Sequence, residues 1–328
     1  MLLGMLAHVK TVLCQIYCTR LEKYSSKLDI SRSFIRIFAN DMKMQSTIPY
    51  TLNVSGQLLP LEQPLVMGIV NATEESFHAP SRSGSADVIA ERALMMLRDG
   101  AAILDVGGCS TKPGLAPVSE EEEMRRLSVA LEAIRKVAPE AILSVDTFRA
   151  SIAERCVKEY GVQIINDVYG GEADERMFDV VAALGVPYIL THAQKGGGNP
   201  HAAALEPSGN FWQGLIYSLA ECINRLRLMG VGDVIVDPGF GFGKTLDDNY
   251  NLMAHLEELH LLGCPLLVGV SRKSMIYNLL EITPDEALNG TTALHVVALM
   301  KGAHILRVHD VKEAVEAVKI VRELKKYN

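Results

Sequence analysis

Residues 234–245 read Val-Ile-Val-Asp-Pro-Gly-Phe-Gly-Phe-Gly-Lys-Thr, and this stretch places a carboxylate at the end of a buried strand. The β-branched apolar residues at its start predict a strand covered on both faces, as in a parallel sheet. Asp237 is therefore expected at the carboxyl end of that strand. The three alternating glycines allow the following loop to bend with positive φ and approach a ligand closely. The stretch is either a ligand-binding loop or a tight strand-to-helix connection with two core phenylalanines.

The Gly-Lys-Thr at residues 243–245 is superficially similar to the end of a phosphate-binding loop. That motif requires a glycine five residues before Gly243, and the residue there is Pro238. We therefore reject a phosphate-binding loop of this type. The two phenylalanines, Phe240 and Phe242, instead offer flat surfaces on which a ligand can stack.

Apolar runs of this kind alternate with helical patterns along most of the chain. Eight units of strand and helix predict a parallel sheet, and eight is the number that closes a (β/α)8 TIM barrel. An open doubly wound sheet is the alternative. A short N-terminal β-hairpin is expected at residues 51–59. The eight strands are expected at residues 65–70, 103–106, 142–145, 163–165, 188–190, 234–236, 266–270 and 305–308. Helices are expected at residues 86–98, 119–137, 150–159, 174–184, 212–229, 248–260, 274–280, 291–300 and 311–324, with a capping box formed by Ser119 and Glu122.

The composition of the 328 residues limits the class of protein. Hydrophobic residues make up 48% and charged residues 22%, which is typical of a globular protein with a large core. The net charge of −7 argues against a general partner for nucleic acid or for an anionic membrane surface. The six cysteines show neither a C-x-x-C pair nor a zinc-ligand spacing, so reduced thiols in a cytoplasmic protein are the simplest interpretation.

Residues 1–46 differ from the rest of the chain. Their apolar start is interrupted by Lys10 and is not preceded by positive charge, so a signal peptide is not expected. We expect a poorly ordered extension, or sequence upstream of the true start with Met42 or Met44 as the first residue. Residues 47–328 are expected to form the barrel.

Polar or charged residues lie within or directly after every one of the eight apolar runs. In a barrel the carboxyl ends of all strands meet at one rim, where the catalytic groups of this fold lie. One polar strand end is ordinary, but eight favour a shared site. In chain order they are Asn71, Asp105, Asp146, Asn166 with Asp167, Thr191 with His192, Asp237, residues 271–274 (Ser-Arg-Lys-Ser), and Arg307 with His309 and Asp310.

Four of these residues suit a planar heterocycle that presents both hydrogen-bond donors and acceptors. They are Asp146, Asn166, Asp237 and Lys273. A buried carboxylate facing N–H groups binds such a ring efficiently, because hydrogen bonds to an ionised group are the strong ones.

Other rim residues indicate an anion. Arg307 offers the fork geometry that suits phosphate, and His309 lies on the same rim. Asn71 could help to hold a magnesium ion that keeps most of its water ligands. His304 precedes the eighth strand and is interpreted as structural, whereas the role of His192 stays open.

Two long polar loops follow the first two strands, at residues 71–84 and 107–118. Long loops in these positions of a barrel often cover or clamp the substrate. A third polar segment, residues 194–209, contains three consecutive glycines and receives no functional assignment.

With these motifs in order, residues 64–328 resemble dihydropteroate synthase, the pterin-using enzyme of folate biosynthesis. Each motif is weak alone, but seven in register are specific. The matching motifs are residues 67–73 (Met-Gly-Ile-Val-Asn-Ala-Thr) with Ser76-Phe77, residues 110–114 (Ser-Thr-Lys-Pro-Gly), 144–147 (Ser-Val-Asp-Thr), 165–167 (Ile-Asn-Asp), 237–244, 271–274 and 307–310 (Arg-Val-His-Asp).

The resemblance implies a transferase reaction. 6-Hydroxymethyl-7,8-dihydropterin diphosphate would lose diphosphate, largely before attack, and the amine of 4-aminobenzoate would then bond to the pterin carbocation. The product would be 7,8-dihydropteroate. The resemblance also implies a homodimer, a cytoplasmic location and a target for sulfonamides.

The resemblance further implies a role for each matched residue. The pterin would be bound by Asp146, Asn166, Asp237, Gly241 and Lys273. The diphosphate would be held by Asn71 with Mg²⁺ and by Arg307 and His309, and Thr111, Lys112, Phe242 and Ser271 would line the aminobenzoate side. The catalytic set would be Asn71, Lys273, Arg307 and His309.

The chain departs from the family pattern in both long loops. Glu74-Glu75 replaces the usual Pro-Asp, Lys112 replaces the usual Arg, and Cys109 stands where Glu is frequent. Lysine cannot reproduce the planar guanidinium fork, so we hypothesise altered handling of aminobenzoate or sulfonamide. Two alternatives stay open, a pterin-binding methyltransferase and a non-catalytic pterin-binding paralogue.

Overall fold

The computed structural model describes residues 50–72, 82–109, 117–193 and 211–327, with residues 82–85 described for the backbone only. The expectations for residues 1–46 lie outside this part of the chain. A hairpin of β1 (Thr51–Val54) and β2 (Gln57–Pro60) comes first. Eight strands follow in the order β3 (Leu65–Asn71), β4 (Ile103–Gly107), β5 (Leu143–Asp146), β6 (Ile164–Asp167), β7 (Tyr188–Thr191), β8 (Val234–Asp237), β9 (Leu267–Val268) and β10 (Ile305–Val308).

The eight strands form one parallel sheet that curves into a barrel. Their order is β8-β7-β6-β5-β4-β3-β10-β9, and a parallel bridge between Val236 and Leu266 brings the two ends of the sheet together. The Val236 N–H also donates to the Pro265 carbonyl at 2.9 Å. The predicted (β/α)8 barrel with an N-terminal hairpin is therefore confirmed, and the open doubly wound sheet is wrong.

Helices lie between the strands, as βαβ connections require. They are α1 (Arg82–Asp99), α2 (Glu120–Val137), α3 (Ala150–Tyr160), α4 (Met177–Leu184), α5 (Phe211–Leu228), α6 (Leu246–Ala254), α7 (Ser274–Leu280), α8 (Leu288–Met300) and α9 (Val311–Leu324). Short 3₁₀ helices occupy Leu256–Leu262, Pro284–Glu286 and Lys325–Tyr327. Among the described residues, no helix has both the length and the apolar character needed to cross a bilayer.

The predicted capping box at the start of helix α2 is confirmed only in part. The Ser119 hydroxyl accepts a hydrogen bond from the Glu122 N–H at 3.2 Å, so the predicted cap is present. The predicted return bond of a capping box is replaced, because the Glu122 carboxylate accepts hydrogen bonds from Arg125 and Arg126 instead.

Several predicted element bounds are wrong; helix α1 begins at Arg82 rather than residue 86, and α8 begins at Leu288 rather than residue 291. Helix α4 begins at Met177 rather than residue 174, because the Asp174 carboxylate accepts hydrogen bonds from the backbones of Ala150 and Arg176 in a preceding turn. The helix predicted to residue 260 ends at Ala254 and continues as a 3₁₀ helix. The seventh barrel strand, β9, has only two paired residues.

The interior of the barrel has two layers, and the alternation of side chains along each strand creates them. The lower layer is apolar, and the hairpin residues Leu52 and Val54, with Leu61, pack against it. Burying each large aliphatic side chain contributes about 1.5–3 kcal/mol. The strand residues of the lower layer are Met67, Ile103, Ile164, Ile189, Ile235, Leu267 and Ile305.

The upper layer begins two residues further along each strand. Its members are largely polar, and they lie at the carboxyl end of the barrel. They are Ile69, Asp105, Asn166, Thr191, Asp237, Gly269 and Arg307, joined from β5 by Ser144 and Asp146.

Candidate active site

Arg307 lies at the centre of the upper layer. Its Nε donates to Asp105 Oδ2 at 2.7 Å, and its Nη2 donates to Asp146 Oδ2 at 2.5 Å. Only 16% of the side chain is exposed. Burial alone would lower the pKa of Arg307, but the two carboxylates raise it above its ordinary value, so the guanidinium stays charged.

Asp105 links Arg307 to Asn166 through hydrogen bonds. The Asn166 Nδ2 donates to Asp105 Oδ2 at 2.9 Å, so one carboxylate oxygen accepts from two residues. The side chain of Asp105 is fully buried, and its second oxygen has no partner within the described residues. The bond commits the amino group of Asn166 to Asp105 and leaves the amide carbonyl to accept from a ligand.

Asp146 has an environment that opposes its negative charge. Burial raises the pKa of Asp146 to about 7, with Arg307 opposing the shift and the nearby charges of Asp105 and Asp167 reinforcing it. Its carboxyl group is thus protonated more readily than an ordinary aspartate. A carboxyl group in this state can accept from a ligand N–H or donate to a ligand nitrogen.

Asp237 and Lys273 form the opposite side of the pocket. Asp237 Oδ1 accepts from the Gly239 N–H at 2.8 Å, while burial raises the pKa of Asp237 and Lys273 opposes that shift. Lys273 Nζ donates to the Phe240 carbonyl at 2.5 Å and lies 4.7 Å from the centre of the Phe242 ring. Burial lowers the pKa of Lys273 to about 8.

The space between these groups depends on Gly269. A Cβ atom added to this residue would lie 3.9 Å from Asp237 Oδ2, 4.0 Å from Lys273 Nζ and 3.8 Å from Arg307 Cβ. Any side chain at position 269 would therefore occupy the volume that these three residues surround. A glycine that keeps such a volume open is typical of a ligand pocket.

The glycine loop of the opening stretch is tightly held. Gly239, Gly241 and Gly243 have φ values of 71°, 83° and 71°, and a Cβ on Gly239 would lie 1.9 Å from the His192 carbonyl oxygen. Lys244 Nζ donates to the His192 carbonyl at 3.0 Å and to the Gly239 carbonyl at 2.8 Å. Lys244 thus holds the glycine loop through these carbonyl groups. Its ammonium group is engaged within the protein, in agreement with the rejection of a phosphate-binding loop.

Asn249 holds the same loop and was not predicted. Its Oδ1 accepts from the Gly241 N–H at 2.7 Å, and its Nδ2 donates to the Thr245 carbonyl at 2.7 Å. The Thr245 and Asp248 capping box starts helix α6 here and orients Asn249 towards the loop. A Thr-x-x-Asp pattern directly after the glycines was the available signal.

The anion-binding candidates lie at the rim. Asn71 ends β3, opposite Gly107 of β4, and is exposed. His309 is partly buried, and its backbone N–H donates to Ser271 Oγ at 3.2 Å. Burial and then the charge of Arg307 lower the pKa of His309 to about 4. The imidazole of His309 therefore favours its neutral form in this environment.

Arg272 and Asp310 connect two of the rim loops. The guanidinium donates to both carboxylate oxygens, at 2.8 and 2.9 Å, and also to the carbonyls of Pro284 and Asp285. The pair fixes the loop that carries Lys273 against the loop that carries His309.

Several polar strand-end residues are structural. Asp167 accepts from the N–H groups of Tyr169 and Gly171 and from the Tyr188 hydroxyl. His304 Nδ1 accepts from the Leu266 N–H at the lower end of the barrel, in agreement with its predicted structural role. Burial and then the charge of Lys244 lower the pKa of His192 to about 3, so its imidazole favours the neutral form.

The second long loop lies partly outside the described residues, and so do Glu74, Glu75, Thr111 and Lys112. Its far end is anchored by Arg149, which donates to the Val118 carbonyl at 2.6 Å and pairs with the buried Glu123.

A magnesium ion would find few protein ligands in this site. The described ranges contain no group of three or more His, Cys, Asp or Glu side chains able to hold an ion. Asn71 offers one oxygen, which suits an ion held mainly by its substrate and water.

Comparison with known proteins identifies the class of protein that this barrel and its polar rim define. The sequence profile described as "Pterin binding enzyme" matches residues 67–309, and the chain belongs to this family. The predicted family relationship is thus confirmed.

The individual relatives are more specific. The chain is 42% identical over 273 residues to the dihydropteroate synthase of Escherichia coli K12, covering 82% of this chain and 95% of that protein. It is 38% identical over 265 residues to the dihydropteroate synthase of Bacillus subtilis, covering 79% and 88%.

Solved structures agree with these relatives. The dihydropteroate synthase of Yersinia pestis with a pterine-sulfa conjugate superimposes with a TM-score of 0.73 at 36% identity, covering 84% of this chain and all of that one. The Xanthomonas albilineans enzyme with 4-aminobenzoic acid gives a TM-score of 0.74 at 36% identity, covering 84% and 98%.

Proposed function

We propose that this chain catalyses the dihydropteroate synthase reaction of folate biosynthesis. It is a transferase that condenses 6-hydroxymethyl-7,8-dihydropterin diphosphate with 4-aminobenzoate, releasing diphosphate and 7,8-dihydropteroate. The observation that carries the proposal is the largely buried array of three acceptors and one donor formed by Asp146, Asn166, Asp237 and Lys273. It suits the edge of a pterin ring, and it lies in a chain that covers nearly the full length of a dihydropteroate synthase.

The pterin end of the substrate is recognised by charge and by hydrogen bonding. Asp146 and Asp237 accept from ring N–H and amino groups, and the free carbonyl of Asn166 accepts from another. Lys273 donates to a ring acceptor, and the backbone at Gly241 lies beside the ring. Hydrogen bonds to buried charged groups are worth about 1.5–3 kcal/mol each, so a few of them select a pterin strongly.

The diphosphate end lies at the rim beside Arg307 and His309. Arg307 carries a permanent charge, and neutral His309 donates a hydrogen bond to an oxygen that gains charge as the carbon–oxygen bond breaks. Asn71 would be the protein ligand of Mg²⁺, which when bound neutralises charge on the diphosphate.

The amine enters from the side of Phe242 and Ser271. The Phe242 ring, against which Lys273 lies, offers an apolar face to the aminobenzoate ring. The family resemblance assigns Thr111 and Lys112 to the aminobenzoate as well. The buried carboxylates of the pocket stabilise the positive charge that develops on the pterin before the amine attacks, and positioning of the two substrates supplies the rest.

One assay separates the three candidate functions. Purified protein is mixed with the pterin diphosphate, 4-aminobenzoate and Mg²⁺, and dihydropteroate and diphosphate are measured. Both products in equal amounts support the synthase. Tight binding of the pterin diphosphate without product supports a non-catalytic paralogue, and methyl transfer from methyltetrahydrofolate to a corrinoid would identify a methyltransferase.

We further propose that the chain is a cytoplasmic homodimer. Helices α8 and α9 pack against each other, and α7 contacts α8. The three helices expose large apolar side chains that a second copy would cover. These are Leu279, Leu280, Val297, Met300, Ile320 and Leu324. Sedimentation equilibrium tests this proposal, and a monomer at micromolar concentration would contradict it.

A further inference from the structure

Asp105 is a buried carboxylate to which the proposed mechanism gives no substrate contact. It is one of the upper-layer residues, with an exposed fraction of 0%. One of its oxygens, Oδ2, accepts hydrogen bonds from Asn166 at 2.9 Å and from Arg307 at 2.7 Å. These partners are 61 and 202 residues away along the chain, so Asp105 joins site residues from strands β6 and β10.

We propose that Asp105 is a positioning residue of the pterin pocket, whose Oδ2 fixes the orientations of the Asn166 amide and the Arg307 guanidinium. The remaining polar edges of both groups then face the substrate. This inference rests on the proposed function and adds to it a residue that acts through two others.

The amide of Asn166 has a donor end and an acceptor end, and Asp105 decides which one faces the ligand. Rotating the amide by half a turn would place its carbonyl oxygen against a carboxylate oxygen, which is repulsive. With Asp105 ionised, Asn166 therefore presents an acceptor to the pocket. Without that charge, both orientations become accessible, and an acceptor is available for only part of the time.

The guanidinium of Arg307 is fixed in the same way. Its plane is defined by two carboxylates on different strands, because Nε bonds to Asp105 and Nη2 bonds to Asp146. The third nitrogen, Nη1, makes no hydrogen bond to the part of the chain that the structure describes. A pre-oriented donor binds an anion with less loss of rotational freedom than a mobile one.

Ser144 provides a matched comparison in the same layer. Ser144 lies on β5, directly opposite Asp105 of the neighbouring strand β4, and it is also fully buried. Its hydroxyl has no hydrogen-bond partner within the described residues. Removal of the Ser144 hydroxyl thus changes a buried polar group beside Asp105 without breaking a bond to Asn166 or Arg307.

The first test compares Asp105→Asn with Ser144→Ala after wild-type turnover has been measured. Titration calorimetry should show that Asp105→Asn binds the pterin diphosphate about tenfold more weakly or worse, since Asn166 and Arg307 would then donate to a neutral amide oxygen in place of a charged one. Ser144→Ala should stay within about twofold of the wild type, as should the KM of Asp105→Asn for 4-aminobenzoate. Wild-type pterin affinity in a folded Asp105→Asn protein would overturn the inference, whereas absence of product from the wild type would refute the proposed function instead.

The second test uses pH, because Asp105 and Asp146 share Arg307 and the charge of Asp105 acts on the titration of Asp146. Asp146 is faced by Arg307 from β10, by Asp105 from β4 and by Asp167 from β6, with Lys273 nearby. Pterin affinity should rise as Asp146 ionises. Loss of the Asp105 charge should shift this rise to lower pH, and an unmoved midpoint in Asp105→Asn would overturn the inference.

A third variant covers the case in which Asp105→Asn does not fold. Asn166→Asp alone places two carboxylates together and should be strongly destabilised. The double variant Asp105→Asn/Asn166→Asp restores the bond between positions 105 and 166 in the reverse direction, although the amide at position 105 then no longer accepts from Arg307 Nε, and it should recover part of that stability in urea unfolding. No recovery would show that the two side chains do not act as a pair and would overturn the inference.

Discussion

The lower and upper layers inside the barrel come from the same strands, but the lower layer is apolar and the upper layer is largely polar. In six of the eight strand units, an apolar residue of the lower layer is followed two positions later by a polar residue or a glycine of the upper layer. The pairs are Ile103 and Asp105, Ile164 and Asn166, Ile189 and Thr191, Ile235 and Asp237, Leu267 and Gly269, and Ile305 and Arg307.

The difference shows how one scaffold separates stability from chemistry. The lower layer buries aliphatic surface against the hairpin and favours folding. The upper layer buries three carboxylates, Asp105, Asp146 and Asp237, which disfavours folding unless each is paired and hydrogen-bonded. Arg307 and Lys273 supply that compensation, and a rigid, polar pocket is the result.

The largest expected effect comes from Asp237→Ala, in the upper layer. The variant should lose about 100-fold or more in affinity for the pterin diphosphate, because a buried acceptor is removed together with the negative charge near Lys273. Calorimetric titration measures the loss. The control is Asp233→Ala, which lies just before the same strand and accepts the Asn53 N–H at 2.7 Å, at the hairpin. Equal affinity in Asp237→Ala and wild type would place the pterin elsewhere.

The converse change lies two residues earlier on the same strand. Ile235→Ala should lower the free energy of unfolding by about 2–5 kcal/mol, since it leaves a cavity in the lower layer. The affinity of the remaining folded protein for the pterin should stay close to that of the wild type. Urea unfolding and titration at low temperature measure the two quantities. A large loss of affinity without a loss of stability would contradict the separation of the layers.

A smaller effect is expected in the pH dependence of stability. Burial raises the pKa of Asp146 to about 7, so the folded state holds a proton that the unfolded state releases at lower pH. Asp146 therefore disfavours folding increasingly as pH rises from about 4 to 7, and Asp146→Asn removes that dependence. The stability of Asp146→Asn relative to wild type should grow with pH over this window in urea unfolding. A constant difference would show that Asp146 is ionised throughout.

The smallest effect concerns the aminobenzoate side. Lys112→Arg restores the guanidinium that the family usually has in the second loop, and it should change the KM for 4-aminobenzoate or the inhibition by a sulfonamide by a few-fold. Steady-state kinetics of both proteins measure this change. Ordinary values for both ligands in the wild type would remove the reason to expect altered handling.

The barrel could be predicted from the sequence alone because the patterns that indicate its strands and helices are local. Each apolar run and helical pattern can be read within a short window, and eight repeats determine closure. The same reasoning placed the polar residues on one rim. The bounds that failed, as at Asp174 and β9, depend on tertiary contacts that no local pattern contains.

The partners within the site could not be predicted from the sequence. Arg307 was predicted to hold diphosphate, yet two of its nitrogens are bonded to Asp105 and Asp146, and this pairing arises only when the barrel brings β4, β5 and β10 together. Asp105 was noted only as a polar residue within a strand. Its importance depends on contacts over 61 and 202 residues of sequence separation, which the spacing of motifs does not encode.

A crystal structure of the chain with the pterin diphosphate tests the central claim most directly. The account predicts the pterin ring in the upper layer, within hydrogen-bonding distance of Asp146, Asn166 and Asp237, with the diphosphate at Arg307 and His309. A diphosphate bound instead at the glycine loop of residues 239–244 would contradict it.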